Sequence, residues 1–186
     1  MNSFFTEAGA LIVQVVFGLY ILAVLLRFLF QLSRADFYNP ISQFLVALTN
    51  PLLIPLRRII PGLFGIDVAS LVLLLALKCL EMFIIFALGD YTPDLLPLML
   101  AAVVSLVQLT INVYFYAILL RVILSWFMPY GMRQNPAGDL LVSLTEPLMR
   151  PARRLIPAVG GLDLSPIVVL VGLQLLQLAL AHLLRQ

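Results

Sequence analysis

The chain has 186 residues, of which 63% are hydrophobic and only 11% are charged, and its mean hydropathy is +1.11. This is too little charge to cover a water-soluble surface, so the composition excludes a soluble globular protein and indicates a membrane protein. The single cysteine, Cys79, excludes an intrachain disulfide and a multi-cysteine metal site. The N-terminal segment has neither a basic region nor a small-residue cleavage site, so we expect it to be retained.

The first half of the chain begins with an apolar stretch, about residues 8–31, that is long enough to form a membrane helix. Roughly 20 apolar residues span the hydrocarbon core of a bilayer. Asn39 and Pro40 then supply an N-cap and a first helical residue. The apolar residues that follow recur at helical spacing, which predicts an amphipathic helix in the membrane interface over residues 40–50.

Two prolines follow this predicted helix. Pro51 and Pro55 each lack an amide hydrogen and crowd the preceding turn, so we expect the helix to end in a short, bent, arginine-rich loop. Asp67 then caps a second membrane helix, predicted at about residues 67–89. An acidic cap suits this position because it meets the unpaired amide groups and the positive dipole of a helix start.

The second half of the chain repeats the first. When residues 39–67 are compared with those 96 positions later, 15 of 29 are identical, and a shift of 94 aligns Arg27 with Arg121. Self-similarity at a fixed offset indicates an internal duplication. The two copies are predicted at residues 1–91 and 92–186.

The second copy is expected to contain the same elements as the first. They are a membrane helix at about residues 98–125, an interfacial helix at 136–146 and a membrane helix at about 164–184. The last of these helices begins with Asp163 or Ser165 as its cap. The predicted fold is therefore all-α, with four transmembrane helices forming two parallel-duplicated helical hairpins.

The arginines predict the orientation of these hairpins. The two long loops carry seven of them, Arg34, Arg57, Arg58, Arg133, Arg150, Arg153 and Arg154. By the positive-inside bias, the long loops and their amphipathic helices face the cytoplasm, and both termini lie outside, although Arg185 is an exception to the bias. Each copy crosses the membrane an even number of times, so both copies have the same orientation.

Both copies resemble the YggT repeat, and the second copy is the closer match. The motifs that carry the resemblance are Arg121-Val122-Ile123-Leu124-Ser125-Trp126, Asn135-Pro136, Thr145-Glu146-Pro147, Pro151, Arg153-Arg154, Pro157 and Gly161-Leu162-Asp163-Leu164-Ser165-Pro166. The first copy departs from this pattern at Asn50, which replaces the acidic residue, and at Ala69-Ser70, which replaces Ser-Pro. The two-repeat form is similar to YggT proteins of Gram-negative bacteria, and one-repeat relatives are called YlmG.

The resemblance implies an integral protein of the inner membrane, in a family with no agreed biochemical activity. Its members are linked to osmotic tolerance and potassium handling, and to cell division or nucleoid organisation. In plastids they are linked to haem attachment to cytochrome b6. These roles belong to different functional classes, so they are kept as alternative hypotheses.

The arginines of the basic loops are the strongest chemical feature. The candidate lipid- or partner-binding residues are Arg57, Arg58, Arg150, Arg153 and Arg154. They either hold the loops in the cytoplasm or bind anionic headgroups, whose phosphate oxygens suit the forked guanidinium. A third reading pairs them with Asp67 and Asp163, which would pin each loop to the start of the next helix, where Ser165 is a further cap candidate.

A second candidate site is a layer of polar residues inside the predicted membrane helices. Its members are Gln14, Lys78, Glu81, Gln108, Gln174 and Gln177. A buried charge in a membrane costs about 2.5–3.5 kcal/mol on insertion scales, so these groups are expected to face protein or water. They form either a hydrogen-bonded seam between helices or the lining of a path for an ion or small solute.

Other polar residues near the helix ends have simpler interpretations. Arg27 and Arg121 are expected to extend to the headgroups rather than to pair with the loop aspartates. The expected interfacial anchors are Trp126, Tyr130, Phe37 and Tyr38. His182 is interpreted as an interface residue, because the chain has no second histidine for bis-histidine haem ligation.

No nucleophile-base-acid set, phosphate-binding glycine loop or metal-ligand spacing is visible, so we expect neither an enzyme nor a cofactor. The first hypothesis is a non-catalytic inner-membrane protein that organises lipids or protein partners at the cytoplasmic face. Anionic lipids are the expected partners, with homo-oligomerisation and membrane or division proteins as alternatives and no direct nucleic-acid binding. The second hypothesis is a small oligomeric channel or transport component in osmotic or potassium homeostasis, and the third is a haem-assembly or cell-division factor.

Overall fold

A computed structural model of the chain describes residues 2–63, 65–127, 132–155 and 163–183. Within these ranges the regular structure is helical, which confirms the predicted all-α class. The helices are α1 (Asn2–Leu32), α2 (Pro40–Ile59), α3 (Val68–Leu88), α4 (Leu95–Phe127), α5 (Pro136–Leu155) and α6 (Ser165–Leu183), with a short 3₁₀ turn at Met132–Gln134. The predicted anchor Tyr130 and the predicted end of the last helix at residue 184 lie outside the described residues.

Four of the helices, α1, α3, α4 and α6, are long and apolar enough to cross a membrane. Only between 6% and 22% of their most apolar windows is buried inside the protein, so most of their apolar surface is left for lipid to cover. The 33 residues of α4 extend for roughly 50 Å at 1.5 Å per residue, well beyond the hydrocarbon core of about 30 Å. The prediction of four membrane helices is confirmed.

Helices α2 and α5 are longer than the sequence predicts, because neither ends at its first internal proline. α2 continues through Pro51 and Pro55 to Ile59, and α5 continues through Pro147 and Pro151. Each proline removes one amide donor from the helix and leaves a carbonyl four residues earlier without its usual partner. The arginine pairs therefore lie on the last turn of a helix and not in a bent loop.

The chain forms two compact units whose boundaries differ from those of the two copies. Unit 1 comprises Met1–Phe28 and Phe44–Val107, and unit 2 comprises Leu29–Gln43 and Gln108–Gln186. The end of α1 and the start of α2 therefore belong to unit 2, although the sequence places them in the first copy.

Each unit has its own core, around α2 in unit 1 and around α5 in unit 2. In unit 1, Leu53 of α2 and Val24 of α1 are completely buried, together with Thr49. In unit 2, Met149 and Thr145 of α5 are buried at the positions 96 residues later. The duplication therefore preserves which face of the amphipathic helix packs inward.

Candidate functional site

Arg27, in the last third of α1, is buried in unit 1 and does not extend to solvent. Its side chain is 5% exposed, and its Nη1 donates to Thr49 Oγ1 at 2.6 Å and to Asn50 Oδ1 at 2.9 Å. The same nitrogen also lies 3.3 Å from the carbonyl of Val46. The expectation that Arg27 reaches the headgroups is therefore wrong, because α2 supplies oxygen acceptors inside the unit.

Side chains of α1 contact α2 in the turn before Pro51. Pro51 cannot donate to the carbonyl of Ala47, so this carbonyl lacks its usual helical partner. Arg27 lies beside the preceding carbonyl, and the hydroxyl of Tyr20 lies 3.5 Å from the carbonyl of Leu48, which follows it. Polar side chains of α1 thus meet the backbone carbonyls on either side of the one that Pro51 leaves without a helical partner.

The end of α2 is held to the start of α3 by an ion pair in unit 1. Arg57 donates to Asp67 Oδ2 at 2.5 Å, and Asp67 also accepts from the hydroxyl and the backbone amide of Ser70. Burial raises the pKa of Asp67, but the hydrogen bonds from Arg57 and Ser70 and the charge of Arg57 have the larger effect. The pKa of Asp67 is therefore lowered from its ordinary value. Asp67 thereby caps α3 and holds the arginine-bearing end of α2 in place.

Unit 2 contains the corresponding contacts. Arg121 donates to Thr145 Oγ1 at 2.7 Å and to Glu146 Oε2 at 3.1 Å. Arg153 donates to Glu146 Oε1 at 3.2 Å and to Asp163 Oδ2 at 3.1 Å. Arg121 also has protein partners on α5, so its expected position at the headgroups is corrected in the same way.

Asp163 completes this network at the start of α6. It accepts from the amide of Ser165 at 3.0 Å and from the Ser165 hydroxyl at 2.5 Å. Burial raises the pKa of Asp163, but the hydrogen bonds from Ser165 and Arg153 outweigh it and lower the net pKa.

The two networks differ in the acceptor that follows the threonine. Glu146 of α5 accepts from both Arg121 and Arg153, whereas the corresponding Asn50 of α2 accepts from Arg27. In unit 2, two arginines therefore meet two carboxylates in one continuous network. The arginine partners Thr49, Thr145, Asn50 and Glu146 were not predicted from the sequence, although the repeated threonine and the aligned span arginines were a usable signal.

The remaining candidate arginines have a different environment. Arg58, Arg150 and Arg154 are exposed, and within the described ranges none of them forms an ion pair with a carboxylate. Successive side chains of a helix point about 100° apart, so the two arginines of each consecutive pair have different surroundings. Arg57 and Arg153 bind within the protein, and their neighbours face outward.

The predicted polar layer divides between the units. In unit 1, Lys78 Nζ lies 2.8 Å from Glu81 Oε2, and Glu81 is only 1% exposed, whereas Gln14 is exposed. This pair neutralises two charges that would otherwise be expensive inside a membrane helix.

In unit 2, Gln177 donates to Asn112 Oδ1 at 2.5 Å. Gln108 is partly buried and Gln174 is exposed. Asn112 was not predicted as a member of the layer, although it is a polar residue in an apolar stretch. The proposed role of the layer as a seam or a path stays a prediction.

Together, the helices and their polar contacts define a class: a multi-span α-helical membrane protein in which, in each of two units, a span arginine donates hydrogen bonds to a proline-containing helix. The chain belongs to the CCB3/YggT family, whose profile matches residues 6–88 and 100–184. The two matched segments follow the internal duplication, and the resemblance to the YggT repeat is confirmed.

Several bacterial relatives match along most of the chain. The uncharacterised protein PA0392 of Pseudomonas aeruginosa is 45% identical over 173 residues, which cover 92% of this chain and 87% of that protein. An uncharacterised protein of Vibrio alginolyticus is 41% identical over 88% of both chains. The uncharacterised protein YggT of Escherichia coli K12 is 34% identical over 94% of this chain and 89% of its own. No solved structure matches the chain.

Proposed function

We propose that this protein is a non-catalytic organiser of the inner membrane, which binds anionic lipid headgroups at the cytoplasmic face through outward-facing arginines of α2 and α5. One observation carries the proposal. Arg58, Arg150 and Arg154 are exposed without a carboxylate partner among the described residues, while Arg57 and Arg153 are held by acidic groups. The free guanidinium groups are therefore available to a ligand outside the protein.

The physical chemistry of these helices supports a lipid ligand. Each basic side chain near an anionic bilayer surface contributes about 1 kcal/mol, and the planar guanidinium donates two parallel hydrogen bonds to a phosphate. In α5 the apolar side chains Val142 and Met149 are buried and Arg150 and Arg154 are exposed, as expected of a helix that lies along an interface. The positive-inside bias supports the cytoplasmic side.

The proposal can be tested in nanodiscs of defined composition. We expect purified protein to retain phosphatidylglycerol or cardiolipin over phosphatidylcholine, measured by quantitative lipid analysis after exchange. Replacing Arg58, Arg150 and Arg154 with glutamine should weaken this preference by about 100-fold, at about 1 kcal/mol for each arginine.

The control is the same chemical change at the far end of the chain, Arg185→Gln, which should leave the preference unchanged. If the triple variant kept the lipid preference of the unmodified protein, the proposed function would be wrong.

A channel or transport component in osmotic or potassium balance is the second candidate. The observation that favours it is the Lys78–Glu81 pair within α3, because ionisable residues inside a membrane span often mark ion pathways. Ion flux from proteoliposomes that disappears in a Lys78→Met, Glu81→Gln double variant would support this function. An absence of flux from the unmodified protein would argue against it.

A further inference from the structure

Unit 2 contains a cavity of about 470 Å³ whose walls carry four arginines. We call it the basic pocket. The side chains that define its chemistry are Ser33, Arg34, Arg133, Ser143, Arg150 and Arg154. Two of these arginines, Arg34 and Arg133, belong to no site that the sequence had suggested.

One face of α5 forms the floor of the basic pocket. Ser143, Arg150 and Arg154 are seven and four residues apart and so lie on the same side of the helix. Val142 and Met149 are buried, which leaves the arginine stripe on the accessible side.

The turn before α5 adds Arg133. A Cβ atom at Gly138 would come within 2.1 Å of the carbonyl oxygen of Met132, so the glycine permits the close approach of this turn to the helix. Arg133 also donates to Asp139 at 3.2 Å, although its side chain remains 65% exposed.

The end of α1 adds Arg34, and this segment is fixed to unit 2. Asn39 Nδ2 donates to the carbonyl of Pro136 at 2.7 Å, so the chain after Arg34 is tied to the start of α5. Arg34 itself has a φ of 54°, in the left-handed region that favours glycine.

The backbone around Arg34 closes α1 with a regular C-terminal motif. The amide of Ala35 donates to the carbonyl of Phe30 at 2.9 Å, and the amide of Arg34 donates to that of Gln31 at 3.2 Å. This motif usually has glycine at the left-handed position. The arginine at this position is therefore under backbone strain.

The charges of the basic pocket are not balanced from within. Glu146 is the one carboxylate among its described lining residues, and it already binds Arg121 and Arg153. Arg34, Arg150 and Arg154 form no ion pair with a carboxylate in the part of the chain that the structure describes. The cavity therefore presents an excess of guanidinium donors, flanked by the hydroxyls of two serines.

We propose that the basic pocket is a discrete binding site for the phosphate group of an anionic lipid headgroup or of a small soluble phosphate compound. Guanidinium forks and serine hydroxyls are the donors that phosphate oxygens require. If the ligand is a lipid, this proposal rests on the lipid-binding function proposed above and adds one specific site to it.

The duplication supplies a matched control within the same chain. Position 58 in the first copy corresponds to Arg154, and both residues are exposed arginines at the end of an amphipathic helix. The position that corresponds to Arg150 is Ile54 in the first copy. Binding in the basic pocket requires Arg154 but not Arg58. Diffuse attraction to a charged surface requires both arginines equally.

The experiment measures binding to nanodiscs of phosphatidylcholine that contain a graded fraction of phosphatidylglycerol. Three single variants are compared with the unmodified protein: Arg34→Gly, Arg154→Gln and the control Arg58→Gln. Loss of a charge-assisted hydrogen bond in a site weakens binding more than tenfold, whereas loss of one surface charge weakens it about fivefold. Arg34→Gly also places glycine, the preferred residue, at the left-handed position of the cap. The thermal stability of this variant should therefore be at least that of the unmodified protein.

A second arm identifies the source of the phosphate. Inorganic phosphate is titrated, by isothermal calorimetry, into the same proteins in pure phosphatidylcholine nanodiscs. Saturable binding that Arg34→Gly and Arg154→Gln abolish supports a soluble phosphate ligand, and selective loss of phosphatidylglycerol binding supports a lipid.

The outcomes separate this proposal from the proposed function. If all three variants weakened phosphatidylglycerol binding about equally and phosphate did not bind, the basic pocket would be rejected and diffuse lipid binding would stand. If no variant changed binding to either probe, both the pocket and the lipid-binding function would be rejected.

Discussion

Replacing Glu146 with alanine should destabilise unit 2 by about 3 kcal/mol, because this carboxylate accepts from two arginines at once. The Arg121 and Glu146 side chains are 14% and 22% exposed, so this pair is largely shielded, and hydrogen bonds to charged groups contribute about 1.5–3 kcal/mol. Arg153 is 38% exposed and keeps Asp163 as a partner, so its contact with Glu146 adds at most about 1 kcal/mol.

The first copy provides two comparison variants. Asn50→Ala removes one hydrogen bond from Arg27, which retains its bond to Thr49, so we expect a loss of about 1.5 kcal/mol. Glu146→Asn places the first copy's residue in the second copy. It should cost only about 1 kcal/mol, because an amide oxygen can still accept from Arg121 as Asn50 accepts from Arg27.

These free energies of unfolding can be measured by reversible titration of mixed micelles with sodium dodecyl sulfate. Helix content is followed by circular dichroism, and the environment of the single tryptophan, Trp126, by fluorescence. The expected order of destabilisation is Glu146→Ala, then Asn50→Ala, then Glu146→Asn. If Glu146→Ala were no more destabilising than Asn50→Ala, the bridging role of Glu146 would be refuted.

Three further predictions concern the other buried polar groups. The lowered pKa of Asp67 stabilises the protein above the ordinary carboxyl pKa of about 4, and this stability is lost as the pH falls through the lowered pKa. Melting temperatures measured from pH 6 to pH 2 should therefore fall. In Asp67→Asn the melting temperature should depend less on pH. Thr49→Val removes the nearest acceptor of Arg27 and should lower the free energy of unfolding by about 1.5–3 kcal/mol, whereas an unchanged value would show that the contact is not formed. Glu81→Gln leaves Lys78 without its counter-charge inside α3, so it should lower the yield of folded protein, which gel filtration measures. Adding Lys78→Met should restore part of this yield. No restoration would contradict a pairing role.

Each copy places a span arginine against the turn that precedes an internal proline. A guanidinium inside a membrane unit needs several acceptors, and the turn before Pro51 or Pro147 offers them through side chains, with Val46 also supplying a backbone carbonyl to Arg27. The threonine is one of at least two acceptors, because Arg27 also donates to Asn50 and Arg121 also donates to Glu146. Loss of the threonine therefore weakens the contact but leaves each arginine a partner.

Much of the architecture was predictable because it depends on local or repetitive properties of the chain. Four apolar stretches determine four membrane helices, since the thickness of the bilayer sets their length. The aligned prolines and arginines reveal the duplication, and Asp67 was predicted as the cap of its helix, where the structure places it. None of these inferences requires knowledge of which distant residues meet.

Only the tertiary structure decided the partners of the polar side chains and the extent of α2 and α5. Proline disfavours a helix locally, yet α2 and α5 continue because the packing of buried side chains such as Leu53 and Met149 offsets the lost hydrogen bonds. Arg27 and Thr49 are 22 residues apart, and Arg34 reaches the basic pocket because the end of α1 belongs to unit 2. Sequence periodicity shows which face of a helix is apolar, but the acceptor that a buried charge finds depends on how the helices fold together.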